Sequence, residues 1–172
     1  MKRHIAIFII FSFASTYIFC QNLQTTIKIQ AMDMSRALIN NDFATFSTYM
    51  YPKIVSFAGG KDKMKSDMDS ASSAMKQFGV AFKRILIGNP GAIIHFHDQL
   101  QCVVPQTTTM QTLMGDLEAE TSLIAISTDN GKKWFFIDTN VYRVDKIKNA
   151  LPELSPDLVI PPQKSPKLIN NQ

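Results

Sequence analysis

The apolar positions of this chain keep helical spacing from about residue 24 to residue 78, then change to short blocks bounded by turn residues. Ile27, Ala31, Met34 and Leu38 stand at i, i+4, i+7 and i+11, one face of a helix. Asn40-Asn41 ends it, and Asp42 is placed to cap a second, shorter helix with the stripe Phe43, Phe46 and Met50. Pro52 is expected to stop that helix. Gly59-Gly60 breaks the chain before a third helix over 61–78, with Met64, Met68, Ala71, Met75 and Phe78 as its buried stripe and Gly79 as its stop. A methionine stripe of this kind serves either as core or as an adaptable binding face.

From Val80 the segments read as strands: "VAFKRILIG", the turn "NPG", "AIIHFHDQLQCVV", "QTTTMQTLM", "LEAETSLIAIS", the turn "DNG" and "KKWFFIDT". Helices followed by a meander of about five antiparallel strands make an α+β layout. Asn130-Gly131 between two apolar runs is the strongest hairpin signal. A two-residue turn there sets Ile126 against Phe135 and Ile124 against Ile137 on one face, and Ser127 against Trp134 and Ala125 against Phe136 on the other. Both faces are apolar, so both need a cover. The helices supply one. A second copy of the chain or the C-terminal segment supplies the other. That segment, 143–172, carries five prolines, with a short helix expected around Asp145 to Ala150, and reads as a strap or a flexible end.

Before residue 21 the pattern is of another kind. Lys2 and Arg3 precede an apolar run from Ile5 to Phe19, short for a span of roughly 20 residues and suited to a cleaved export signal over 1–20, with Gln21 as the mature N-terminus. Lipidation of Cys20 is disfavoured, because Phe19 and Tyr17 stand where a small residue and Leu are wanted. Cleavage leaves Cys102 alone, hence no internal disulfide and a domain held by its apolar core. Of eighteen basic residues sixteen would remain against fourteen acidic ones, interleaved as in Lys61, Asp62, Lys63, Lys65 and Asp67. That pattern excludes a nucleic-acid surface and a stable membrane anchor as expectations.

The stretch "GAIIHFHDQLQCVVP" holds the candidate chemistry. Read as one strand, it turns His95, His97, Gln99 and Gln101 to one face and Ile94, Phe96, Asp98, Leu100, Cys102 and Val104 to the other. His95 and His97 would offer two ligands to a metal, but zinc needs a third, and Glu118 and Glu120 are the only suggestion of one; no cofactor is expected. Cys102 among apolar neighbours reads as a small buried hydrophobe. Asp98 on an apolar face is either paired at a sheet edge, with Arg84 or a backbone amide, or opens into a cavity, where desolvation suits a general base or ligand anchor.

Three helices, the break "YPKIVSFAGGKDKM" and the closing "LIAISTDNGKKWFFIDT" resemble the nuclear transport factor 2-like (SnoaL-like) superfamily, especially its small exported bacterial members, over residues 24 to 142. The resemblance implies a cone, the cystatin-like arrangement in which helices pack on a curved antiparallel sheet around a pocket, as one domain over 21–142. It also implies frequent homodimers through the outer sheet face and a periplasmic or extracellular setting in a Gram-negative bacterium. The family's catalytic motifs do not carry over, since no Asp-Tyr or Asp-His pattern matches. The residues themselves nominate Met64, Met68, Met75, Phe96, Asp98 and Leu100 as pocket lining, in an exported non-catalytic module that binds a small apolar ligand or a protein partner. The alternative is a lyase or isomerase with Asp98 as base and Tyr49 or Tyr51 as hydrogen-bond donor.

Overall fold

The computed structural model describes residues 22–141, 147 and 149–169. Residues 1–20, expected from the sequence to be an export signal and including Cys20, lie outside them, as does Asp145. The chain is α+β, with N-terminal helices followed by six antiparallel strands in one open sheet.

Helix α1 covers residues 22–39 and buries Ile27, Ala31 and Met34 as the spacing predicts. Asp42 caps α2, Phe43–Ser47, by accepting a 3.1 Å hydrogen bond from Thr45 N. Pro52 does not end that helix. It occupies the first turn of a separate one, α3, Pro52–Phe57, where its missing N–H costs nothing. Helix α4 is Lys61–Gln77. Helices α1, α3 and α4 end alike. Asn41, Gly59 and Gly79 take positive φ, and the next residue's N–H reaches back five positions: Asp42 to Ala37 O, Gly60 to Val55 O and Val80 to Met75 O.

The α4 stripe departs from expectation. Only Met64 is buried; Met68 and Met75 are half-buried, Ala71 is exposed and Phe78 is 72% exposed. Met64 joins the core and Met68 packs against it, but Met64, Met68, Ala71 and Met75 also form a cavity wall, and Phe78 belongs to neither.

Strand β1 is Ala81–Ile87, β2 is Ile94–Phe96, β3 is Gln99–Thr112, β4 is Gly115–Ser127, β5 is Phe135–Asp138 and β6 is Lys167–Ile169. The long β3–β4 hairpin is the spine. β1 and β2 both pair with β3, and β5 and β6 both pair with β4. The stretch read as one strand is a hairpin. Phe96 pairs with Gln99 around His97 and Asp98, and His97 adopts φ +50°. Conversely, Pro105 does not end a strand. Its carbonyl accepts from Gly88 N, so its missing N–H faces the 88–91 linker and no bond to β4 is lost.

The β4–β5 register is the expected one: Ile126 opposite Phe135, Ala125 opposite Phe136, Ile124 opposite Ile137. The pairing stops at Phe135, however, and residues 128–134 form a wider loop around Asp129. Its carboxylate accepts from Ser127 Oγ, Lys132 N and Lys133 N at 2.8 to 3.2 Å. The Trp134 indole donates to Gly131 O at 3.0 Å, and its ring is fully buried.

Ladder parity gives the sheet two buried faces. Leu100, Cys102, Val104, Leu123, Ala125 and Phe136 share the face toward α1, where Gln30 Oε1 accepts from Trp134 N and Gln30 Nε2 donates to Lys132 O. Gln101, Ile124, Ile126 and Ile137 share the other. The C-terminal strap covers it. Ile147, Leu151, Leu154 and Leu158 join the same core cluster, and Gln101 grips the strap. Its Nε2 donates to Glu153 O (2.7 Å) and its Oε1 accepts from Ser155 N (2.9 Å). Glu153 is held further by Lys53 (2.7 Å) and Tyr51 Oη (3.0 Å).

Candidate functional site

The helices and the upper half of the sheet do not close on each other, and a cavity of about 560 Å³ remains between them. That lies within the range of small-molecule sites, roughly 300–1,000 Å³. From the helices it is lined by Met34, Phe43, Phe46, Met64, Met68 and Met75. From the sheet come Phe82, Ile85, Gln106, Thr108, Met110 and Ala119, and Asp138 enters from the end of β5. Alternation explains the membership. Gln106, Thr108 and Met110 continue the face of Leu100, Cys102 and Val104, but opposite Thr108 stands only the small Ala119, and α1 and α4 line the space without filling it.

Two carboxylates line this largely apolar chamber, Asp67 from α4 and Asp138 from β5. Asp138 Oδ2 accepts from Gln106 Nε2 at 2.8 Å and Oδ1 accepts from Asn140 N at 2.7 Å. Gln106 Nε2 also donates to Thr121 Oγ1 at 3.0 Å, which fixes the amide's orientation. Burial pushes the Asp138 pKa up from its ordinary value, and the two hydrogen bonds only partly offset it. No described cation forms an ion pair with Asp138. At the mouth, Asp67 and Lys76 are exposed, and Asp67 is paired with Lys63 at 2.7 Å.

The residues nominated from the sequence divide cleanly. Met64, Met68 and Met75 line the cavity; Phe96, Asp98 and Leu100 do not. Asp98 is exposed at the tip of the β2–β3 turn, because the turn resets the alternation that placed it on an apolar face. His95 and His97 are both exposed, one on β2 and one in the turn, and so are not two ligands on one strand face. Among the described residues no group of three or more His, Cys, Asp or Glu side chains is arranged to hold a metal.

Tyr51 is buried, but its hydroxyl serves the strap, and burial followed by the hydrogen bond to Glu153 raises its pKa. Tyr49 lies under the Lys133 ammonium, 3.7 Å from its ring centroid. Neither reaches the cavity lining. Cys102 is fully buried on the α1 side, where desolvation pushes its thiol up to about 12, so it is no nucleophile.

Asp138 and Gln106 were missed by sequence reasoning, although the hairpin register carried a signal for the first. One further step along Trp134 and Phe136 puts residue 138 on the helix-facing side. Comparison of the chain with protein-family models and with curated proteins finds no match.

Proposed function

We infer that the chain is an exported, non-catalytic module that holds a small, largely apolar molecule between its helices and its sheet. The observation that carries this reading is the cavity of about 560 Å³, walled by methionine and phenylalanine side chains, with the Asp138 carboxylate held in it by Gln106. Methionine walls adapt to the shape of a guest. Helices preceding an antiparallel sheet, with the chamber between them, support the nuclear transport factor 2-like cone as the fold. The basic pair Lys2-Arg3 before the apolar run supports export to the periplasm or beyond. A dimer across the outer face is not required to cover the β4–β5 hairpin, because the strap already lies there.

Proton-transfer catalysis is the second reading, and Asp138 is the observation behind it, since a desolvated carboxylate of raised pKa suits a general base. Among the described residues the cavity lining includes no His, Tyr or Cys to act as its partner, which favours binding. Titration with Nile red, a neutral apolar dye, tests the choice. Saturable one-to-one uptake is expected, and Ala119→Phe, which fills the floor of the chamber, should abolish it while the fold is kept. Uptake that survives Ala119→Phe refutes the site.

A further inference from the structure

We propose that the molecule held in this cavity is a cationic amphiphile: an elongated apolar body ending in a primary or secondary ammonium group that pairs with Asp138. The inference rests on the binding reading above and names the ligand class for that site.

The argument begins with an imbalance of charge. Asp138 is drawn into an apolar chamber, yet among the described residues it is bonded only to neutral donors, Gln106 Nε2 and Asn140 N, and pairs with no cation. Each carboxylate oxygen thus spends one acceptor site on the protein, of roughly four in all, which leaves further acceptor capacity. A desolvated carboxylate without a counter-charge is costly, and a guest that brings the counter-charge relieves that cost on binding. A hydroxyl brings a hydrogen bond but no charge, and an anion would add repulsion to desolvation. The other charged groups of the lining, Asp67 and Lys76, are exposed on α4, where water screens them. Asp138 is therefore the group that discriminates between heads.

The walls suit the remainder of such a molecule. From Gln106, beside Asp138, to Met110 the lining follows β3 for four residues, roughly 13 Å at a strand's rise. Along this length the chamber offers Met68, Met75, Phe82 and Met110 to an apolar chain. Phenylalanine faces and polarisable thioethers in the walls also tolerate a cationic head better than purely aliphatic ones do.

The test is calorimetric titration of the purified protein with decylamine, decanol and decanoate, which share one apolar body and differ only in the head. Decylamine should bind about tenfold or more tightly than decanol, as a hydrogen bond to a charged group adds. Decanoate should be weakest. Asp138→Asn should bring decylamine to the level of decanol, and Ala119→Phe should remove all three. The comparison within the unaltered protein decides the matter even if a variant fails to fold. Decanol or decanoate binding as tightly as decylamine overturns the ligand class and leaves the pocket standing. So does failure of all three in a protein that takes up Nile red. Failure of Nile red as well removes the pocket reading itself, and decylamine uptake that survives Ala119→Phe assigns it to the surface and overturns the proposal.

Discussion

Replacing Gln101 by Leu separates the strap's hydrogen bonds from its apolar contacts. Gln101 is fully buried on the outer face of β3, and its amide donates to Glu153 O and Gln99 Oε1 while accepting from Ser155 N. Leucine has similar bulk and removes all three bonds. Ser155 is itself fully buried, so its N–H would be left unsatisfied, and the Glu153 carbonyl would lose its partner. Three net hydrogen bonds at about 1 kcal/mol each, with a further 1–3 kcal/mol for the stranded N–H, give a loss of roughly 4–6 kcal/mol. The apolar gain of leucine returns part of this, so about 2–4 kcal/mol is expected overall.

Urea unfolding followed by the single tryptophan, Trp134, which is buried on the opposite, α1-facing side, reads the loss as a lower midpoint. An unchanged slope means the strap stays docked with unpaired groups. A shallower slope means it lifts and exposes Leu151, Leu154 and Leu158 before the main transition. A midpoint shift worth less than about 0.5 kcal/mol, with the slope unchanged, would refute the view that Gln101 clamps the strap.

Asp138 makes stability fall as pH rises. Its folded pKa lies above the unfolded value, so the folded state holds the proton more tightly, and stability declines from the unfolded pKa up through the folded one. Asp138→Asn lacks this term, so its stability relative to the parent should improve as pH rises from the unfolded pKa through the folded one, then level off. A constant difference in urea midpoint across that range contradicts the assignment. Asp129 acts in the opposite sense. The backbone N–H of Lys133 is the largest cause of its lowered pKa, so its contribution is present above the unfolded pKa and lost as pH falls through the folded one. Asp129→Ala should cost about 1–3 kcal/mol near neutral pH and Asp129→Asn less, because the amide oxygen still accepts; equal losses would count against the loop bonds. Cys102 should resist thiol reagents in the folded protein and react once urea unfolds it, as peptide mapping would show; rapid labelling of the native state would mean that the α1 side is open.

The helical half was legible because apolar spacing and capping residues agree with the fold. Asp42, Asn41, Gly59 and Gly79 each stand where a helix begins or ends, and each is a residue type whose local chemistry favours that place. Pro52 was misread because a proline ends one helix as naturally as it begins the next, and only the tertiary bridge from Met50 to Phe136 separates α2 from α3. The β4–β5 register was legible from Asn130-Gly131, whose φ values of +59° and +84° are what those residues favour. The extra width of that loop was not, since it comes from Asp129 competing for the backbone of Lys132 and Lys133.

For the site, two aspartates tell opposite stories by the same rule. Alternation placed Asp98 on an apolar face only on the assumption that no residue between Phe96 and Gln99 turned the chain; Asp is at home in turns, but His97-Asp98 lacks the glycine that marks a hairpin turn. Asp138 needed no such assumption. The register that sets Ala125 opposite Phe136 also sets Leu123 opposite Asp138, on the helix-facing side. What the pattern cannot express is whether that side is filled. Leu123 is fully buried against the core, whereas Asp138, directly across from it, borders open space because Ala119 and Thr108 are small and α4 stands off with its methionines. The candidate site is thus a deficit of packing at one end of a face that is complete at the other. A deficit of that kind depends on how far apart two elements settle, and no single segment's periodicity records it.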